Sequence, residues 1–153
     1  MADNDPQAIF PRMTPAPPGS AVVETPIGVR MPELDSFGHV NHAVFLNYLE
    51  HARFDALRQA GFSWEVLADR NWAIFVVRVE IDYLSEARRE DELIVRTWAD
   101  SFRRTSMIFA QEIVRADNPA VAVAKARVTA VWIGPDRKPM RAPDEIRKRL
   151  ADA

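Results

Sequence analysis

One stretch of this chain cannot be stable without a surface to lie against. Over residues 42–60, Val44, Phe45, Tyr48, Leu49, Ala52, Ala56 and Leu57 recur at steps of three and four, while Asn47, Glu50, Arg58 and Gln59 fall off that stripe. The spacing predicts one amphipathic helix roughly 28 Å long, stopped by Gly61. After it the period changes. Val77, Val79, Ile81 and Tyr83 alternate with Arg78, Glu80 and Asp82, which predicts a half-buried strand, and residues 93–99, 106–115 and 121–133 predict three more. Upstream, residues 22–31 alternate as well, with Ile27, Val29 and Met31 on one face and Pro26 confining the start of that strand to a sheet edge. Residues 64–71 read as a linking stretch, Ala116-Asp117-Asn118-Pro119 as a hairpin turn, and residues 143–150 as a short helical turn.

One apolar-faced helix and one sheet have to bury each other. The expectation is a two-layer α+β protein, an antiparallel sheet of about five strands wrapped around one long central helix. The chain has 153 residues, 48% hydrophobic and 27% charged. That length can bury roughly 68–70% of its unfolded surface without a disulfide or a metal. Residues 1–21 hold five of the eleven prolines and little apolar periodicity, which predicts a flexible tail ahead of a single domain over 22–153.

Composition removes several classes of function. Cysteine is absent, which excludes a disulfide framework, a thiolate zinc site and a cysteine nucleophile. Formal net charge is −2, and no basic patch is interleaved with aromatics, so nucleic acid is not an expected partner. The N-terminus is acidic and proline-rich rather than basic then apolar, and no run of about eighteen apolar residues occurs. A cytoplasmic protein without membrane contact is expected. Ser36 and Ser106 lack the Gly-x-Ser-x-Gly elbow of a serine hydrolase.

The residues with chemical potential stand just before the helix: Glu33-Leu34-Asp35-Ser36-Phe37-Gly38-His39-Val40-Asn41-His42. A helix N-terminus carries unpaired N–H groups and the positive end of the macrodipole, which together polarise a carbonyl or hold an oxyanion. Gly38 lets the loop turn tightly, and a carboxylate such as Asp35 beside a polarised carbonyl can attack it or activate a water. The same pattern serves if Asp35 or Asn41 simply caps the helix. All three histidines, His39, His42 and His51, fall in this region. His39 precedes the helix and no second ligand cluster follows, so no metal is expected. Phe37, Phe45, Tyr48 and Trp72 could line a short pocket or form core, and Trp64, Trp72, Trp98 and Trp132 read as core or interface residues.

The pattern Asp35-x-x-Gly38-His39-Val40-Asn41-His42-x-x-Phe45-x-x-Tyr48-x-Glu50-x-Ala52-Arg53 resembles the signature of the hotdog-fold acyl-CoA thioesterases, in their 4-hydroxybenzoyl-CoA thioesterase-like branch. The likeness covers about residues 24–135. It implies a hotdog fold and hydrolysis of acyl-CoA to free acid and coenzyme A without a cofactor. Asp35 matches the family's nucleophile or general base. His42 matches a position whose backbone N–H polarises the thioester carbonyl. His39, Asn41 and Glu50 match weaker, secondary positions, and Glu50 could instead pair with Arg53 along the helix. Arg103, Arg104 and Thr105 resemble the strand start that meets coenzyme A phosphates, a role suited to arginine, although the same residues could form an ordinary exposed turn. The resemblance further implies self-association as a dimer or tetramer with sites at the interface. A hotdog module that binds acyl-CoA or an acylated carrier protein without hydrolysing it is the alternative reading.

Overall fold

The predicted helix forms as α1, Val44–Gln59, and buries Phe45, Tyr48, Leu49, Ala52, Ala56 and Leu57. The chain is described here from a computed structural model that covers residue 16 and residues 21–151. The expected flexible tail over 1–21 therefore lies outside the described residues, apart from 16 and 21. Around α1 stand β1 (Val23–Gly28), β2 (Ala73–Tyr83), β3 (Glu92–Phe102), β4 (Ser106–Arg115) and β5 (Ala122–Ile133), with α2 (Trp64–Asp69) and α3 (Asp144–Ala151) completing the chain. This is the hotdog arrangement expected from the residue pattern.

The five strands form one sheet in the order β1-β3-β4-β5-β2. All neighbours are antiparallel. Chain order does not survive in the sheet, because β2 pairs with β5 across residues 73–133 rather than with β3, which follows it. The side chains of the inner face pack on α1 in two clusters. One gathers Phe45, Leu49, Leu93, Val95, Ile113 and Ala124 near the start of α1. The other gathers Leu57, Phe62, Met107, Phe109, Trp132 and Ile146 near its end. The outer face carries a row of alternating sign: Glu24 opposite Arg96, Arg96 opposite Glu112, Glu112 opposite Lys125, and Lys125 opposite Asp82. Opposite charges on directly facing positions favour this register, and the row keeps that face hydrated.

Three readings from the sequence are corrected. The first strand ends at Gly28, and Met31 starts a 3-10 turn, Met31–Glu33, with Pro32 inside it, so Met31 is exposed. Residues 64–69 are a helix rather than a link, because the Ser63 hydroxyl accepts the Val66 N–H and caps it. Trp64 on that helix is 70% exposed and belongs to no core, although its ring packs against exposed Phe54. The strand around Val77 begins earlier, at Ala73, and is not half-buried: Phe75, Val76, Val77, Val79 and Tyr83 are all exposed. β2 is the last strand of the sheet, so one of its edges has no neighbour, and the bulge between Val76 and Arg78 breaks its alternation.

Leu49 is 1% exposed at the centre of the first cluster. Leu49→Ala is expected to lower the unfolding free energy by about 2–5 kcal/mol, read from urea denaturation with an unchanged m-value.

Candidate active site

The loop ahead of α1 is held by its own backbone. The Asp35 N–H donates to the His39 carbonyl at 2.7 Å, and the Gly38 N–H donates back to the Asp35 carbonyl at 3.1 Å. Gly38 closes this turn at φ 79°, a conformation that disfavours any residue with a Cβ. Oδ1 of Asp35 accepts the N–H groups of Phe37 (2.8 Å) and His39 (3.1 Å). Oδ2 accepts from no described residue. One oxygen of this carboxylate is thus locked to the loop, and the other is free to act.

Asn41 joins the loop to the helix. Its N–H donates to the Glu33 carbonyl, its carbonyl accepts the Val44 N–H, and its Oδ1 accepts the Ala43 N–H, each at 2.9 Å. Neither of the two residues that could cap does so: Ala43 stands at the N-cap without a side-chain cap, and the Asn41 side chain instead closes the turn leading into α1. The His42 N–H donates to no acceptor among the described residues, while the His42 carbonyl accepts the Tyr83 hydroxyl at 2.9 Å. Tyr83 also sets its ring edge-on to His42 and Phe45, with centroids 6.4 Å and 5.6 Å away. That hydroxyl pins the peptide that follows the open His42 N–H. Below it, the Tyr48 hydroxyl donates to Glu33 at 3.0 Å, and burial followed by the Glu33 charge pushes the phenol well above its ordinary range.

The other candidates separate from this centre. His39 turns away, its Nε2 lying 2.6 Å from Glu86, which also accepts from Arg88. His51 is exposed on the outer side of α1. Glu50 is exposed two turns into α1, beside a cavity of about 180 Å³ that it shares with Arg53. Glu50 and Arg53 come no closer than 4 Å, so the expected pairing along the helix does not form. Phe45 and Tyr48 are core, whereas Phe37 is 83% exposed beside Asp35.

Arg103, Arg104 and Thr105 form the turn between β3 and β4. This turn belongs to the cluster at the far end of α1, through Phe102 and Met107. It therefore packs with the end of α1, whereas Asp35 stands ahead of the start of that helix. The Arg103 carbonyl accepts from Arg147 at 2.7 Å, and the Thr105 carbonyl accepts the Trp132 N–H at 3.1 Å. Both backbone groups fix the turn and leave its guanidiniums outward. Arg103 opens onto a cleft with Arg78 and Arg127 on the outer face of the sheet. Arg78 is paired to Glu80 at 2.6 Å and Arg127 to Asp100 at 3.2 Å, whereas Arg103 meets no carboxylate among the described residues.

Sequence reasoning missed a second polar chain. Arg53 Nη1 donates to Gln111 Oε1 at 2.9 Å, and Gln111 Nε2 donates to the Leu49 carbonyl (2.9 Å) and to Thr97 (3.0 Å). Gln111 and Thr97 are buried. Burial pulls the Arg53 guanidinium down to about 10, which the charge of Glu50 only partly offsets. The signal was present, since Gln111 and Thr97 interrupt apolar inward positions of β4 and β3. Among the described residues no group of three or more metal-binding side chains is placed to hold an ion.

The sequence pattern of the thioesterase-like superfamily matches residues 29–150. The chain belongs to that superfamily. This thioesterase is 34% identical to the acyl-CoA thioester hydrolase YbgC of Escherichia coli over 79% of its own length and 90% of that protein. It is 32% identical to the long-chain acyl-CoA thioesterase FadM of Escherichia coli, over 84% and 96%. It also matches the chloroplastic acyl-acyl carrier protein thioesterase ATL3 of Arabidopsis thaliana at 29% identity, spanning 66% of that longer chain. Among solved structures, the probable thioesterase YbaW of Escherichia coli superposes with a TM-score of 0.72 at 32% identity, covering 83% of this chain and 95% of that one. No helix of the described residues is long and apolar enough to cross a membrane.

At Gly38 an added Cβ would meet nothing within 4 Å. Gly38→Ala therefore isolates the backbone cost of positive φ, and an expected loss of about 1–2 kcal/mol should appear in thermal melts together with lower turnover.

Proposed function

We propose that this thioesterase hydrolyses acyl-CoA to a free carboxylic acid and coenzyme A. The single observation that carries the reading is the pair of open groups at the start of α1: Oδ2 of Asp35 and the backbone N–H of His42. A thioester carbonyl set against that N–H gains a donor and the positive helix end just where negative charge develops. Asp35 then attacks the carbonyl carbon, expelling the coenzyme A thiolate and leaving an acyl anhydride that water cleaves. In the other course, Asp35 takes a proton from a water that attacks directly. His42 serves through its main-chain N–H, and Tyr83 holds the adjoining His42 carbonyl in place. His39 supports the loop through Glu86. Asn41 positions the helix start.

The phosphate end of the substrate falls to Arg103, an outward guanidinium that, like Arg104, meets no carboxylate among the described residues. Arg104 and Thr105 shape the same turn. Because Arg103 and Asp35 lie at opposite ends of α1, one chain does not bring them to one ligand. A second copy does. Pairing the open β2 edges antiparallel extends the sheet, covers exposed Phe75, Val77 and Val79, and sets the two α1 helices in opposite directions. The start of each α1 then approaches the far end of its partner. The names of YbgC and FadM as acyl-CoA enzymes, and the coenzyme A complex of Staphylococcus aureus SAV2348, which shares this fold at a TM-score of 0.78, support coenzyme A as the carrier.

Asp35→Asn is expected to lower kcat about 10²–10⁴-fold in a thiol-release assay on a panel of acyl-CoAs, with an unchanged melting curve. Tight acyl-CoA binding by the wild-type protein with no thiol release at any chain length would favour the non-catalytic binding module instead. Arg103→Ala is expected to raise KM for acyl-CoA about 10–100-fold, the worth of one charged hydrogen bond. KM for the matching N-acetylcysteamine thioester, which lacks the nucleotide, should not move.

A further inference from the structure

The loop that carries Asp35 leans on residues 84–91, the connection between β2 and β3. That connection is itself rooted. The Leu84 and Ser85 N–H groups both donate to the Val123 carbonyl, at 2.9 and 3.2 Å, and Ala87 enters the same buried cluster as Val40. The two segments meet through backbone and side chain. The Val40 N–H donates to the Ala87 carbonyl at 2.7 Å, His39 and Arg88 form an isolated antiparallel bridge, and the His39 ring sets Nε2 2.6 Å from Oε2 of Glu86. The other oxygen of Glu86 accepts Nε of Arg88 at 2.9 Å and its Nη2 as well. Arg88 in turn donates its N–H to Asp91 at 2.8 Å, and Asp91 receives both Nη atoms of Arg115 from β4. One oxygen of Glu86 is thereby fixed to its own segment, and the other holds His39.

His39 is the residue that orients Asp35. Its N–H donates to Oδ1 of Asp35 at 3.1 Å, and its carbonyl accepts the Asp35 N–H at 2.7 Å. A carboxylate that grips the His39 ring from the far side therefore bears on the direction in which Asp35 presents Oδ2, without touching a reacting group. Glu86 stands outside the loop and outside the residues that carry the resemblance to the thioesterases. Magnitudes separate its two conceivable contributions. Both side chains of the pair are partly exposed, and an exposed ion pair contributes little to stability. Geometry at a reacting group is far more sensitive, since a misplacement of about 1 Å can cost about 10²-fold in rate.

We propose that Glu86 is a positioning residue for hydrolysis: through the His39 ring it holds Asp35 with Oδ2 free to react, and so it sets kcat rather than KM. The proposal rests on the reading of Asp35 as the reacting carboxylate. It assigns the β2–β3 connection a part in turnover that its distance in sequence from the loop does not suggest.

The test compares Glu86→Ala, Glu86→Gln, His39→Ala and the double alanine variant, using the acyl-CoA that the wild-type protein cleaves fastest. Glu86→Ala is expected to lower kcat about tenfold, with KM and the melting curve unchanged. Glu86→Gln keeps an acceptor for the ring and is expected to retain kcat within about threefold. In the His39→Ala background, Glu86→Ala should cost nothing more, because its effect passes through that ring. Amide hydrogen exchange at Asp35 and His39 should quicken about tenfold in Glu86→Ala while the amides of β4 keep their rates. Unchanged kcat in Glu86→Ala overturns the proposal. Losses that multiply between Glu86→Ala and His39→Ala overturn it too, since Glu86 then acts by a path of its own. A merely structural role would lower the melting temperature of Glu86→Ala and leave no split between kcat and KM, and that result also overturns it. If Asp35→Asn keeps its turnover, the reading of Asp35 fails instead. The exchange rates at Asp35 and His39 then decide the grip of Glu86 alone, and rates unchanged by Glu86→Ala reject it.

Discussion

The structure depends on the burial of the apolar stripe of α1 in the hollow of the sheet. A lone helix of this length is marginal in water, because few residues share the cost of nucleation. Here five of its buried side chains enter two clusters that together span the inner faces of β3, β4 and β5. That contact fixes where the helix starts, and the start is where the chemistry stands. The loop from Asp35 to Asn41 inherits its position from this packing and adds only short hydrogen bonds of its own.

The site is built by leaving things undone. Buried and semi-buried polar groups in a folded protein are nearly all paired. At the start of α1 the His42 N–H and one oxygen of Asp35 are left without a partner among the described residues. Farther along, Arg53 keeps most of its donors free beside a cavity. On the outer face Arg103 meets no carboxylate among the described residues, while its neighbours Arg78 and Arg127 are neutralised. These open groups stand at three separate places, and the β2 edge with its exposed apolar residues has no neighbouring strand among the described residues.

Much of this was legible beforehand because it depends on local period. The three- and four-residue steps of Phe45, Tyr48, Leu49 and Ala52 specify a helix face wherever the helix lies. The loop residues Asp35 and Gly38 announce themselves through spacing from that helix. β2 was misread for a complementary reason: alternation of Val77, Val79 and Ile81 says which way side chains point, and burial depends on what stands opposite. Trp64, read as core or interface, is not core, since a large apolar side chain on a short helix is core only if another element covers it. The order β1-β3-β4-β5-β2 has no local signature at all.

By itself, then, the sequence determined the element types, the two-layer α+β arrangement and the position of a carboxylate before a helix N-terminus, because short-range sterics and hydrophobic period decide those. Only the tertiary structure decided which groups stay unpaired. Tyr83 reaches His42 across 41 residues, Gln111 reaches Arg53 across 58, and His39 is drawn away to Glu86. Such pairings follow from strand register and from the path of β2 to the sheet edge, and neither is encoded in any one segment.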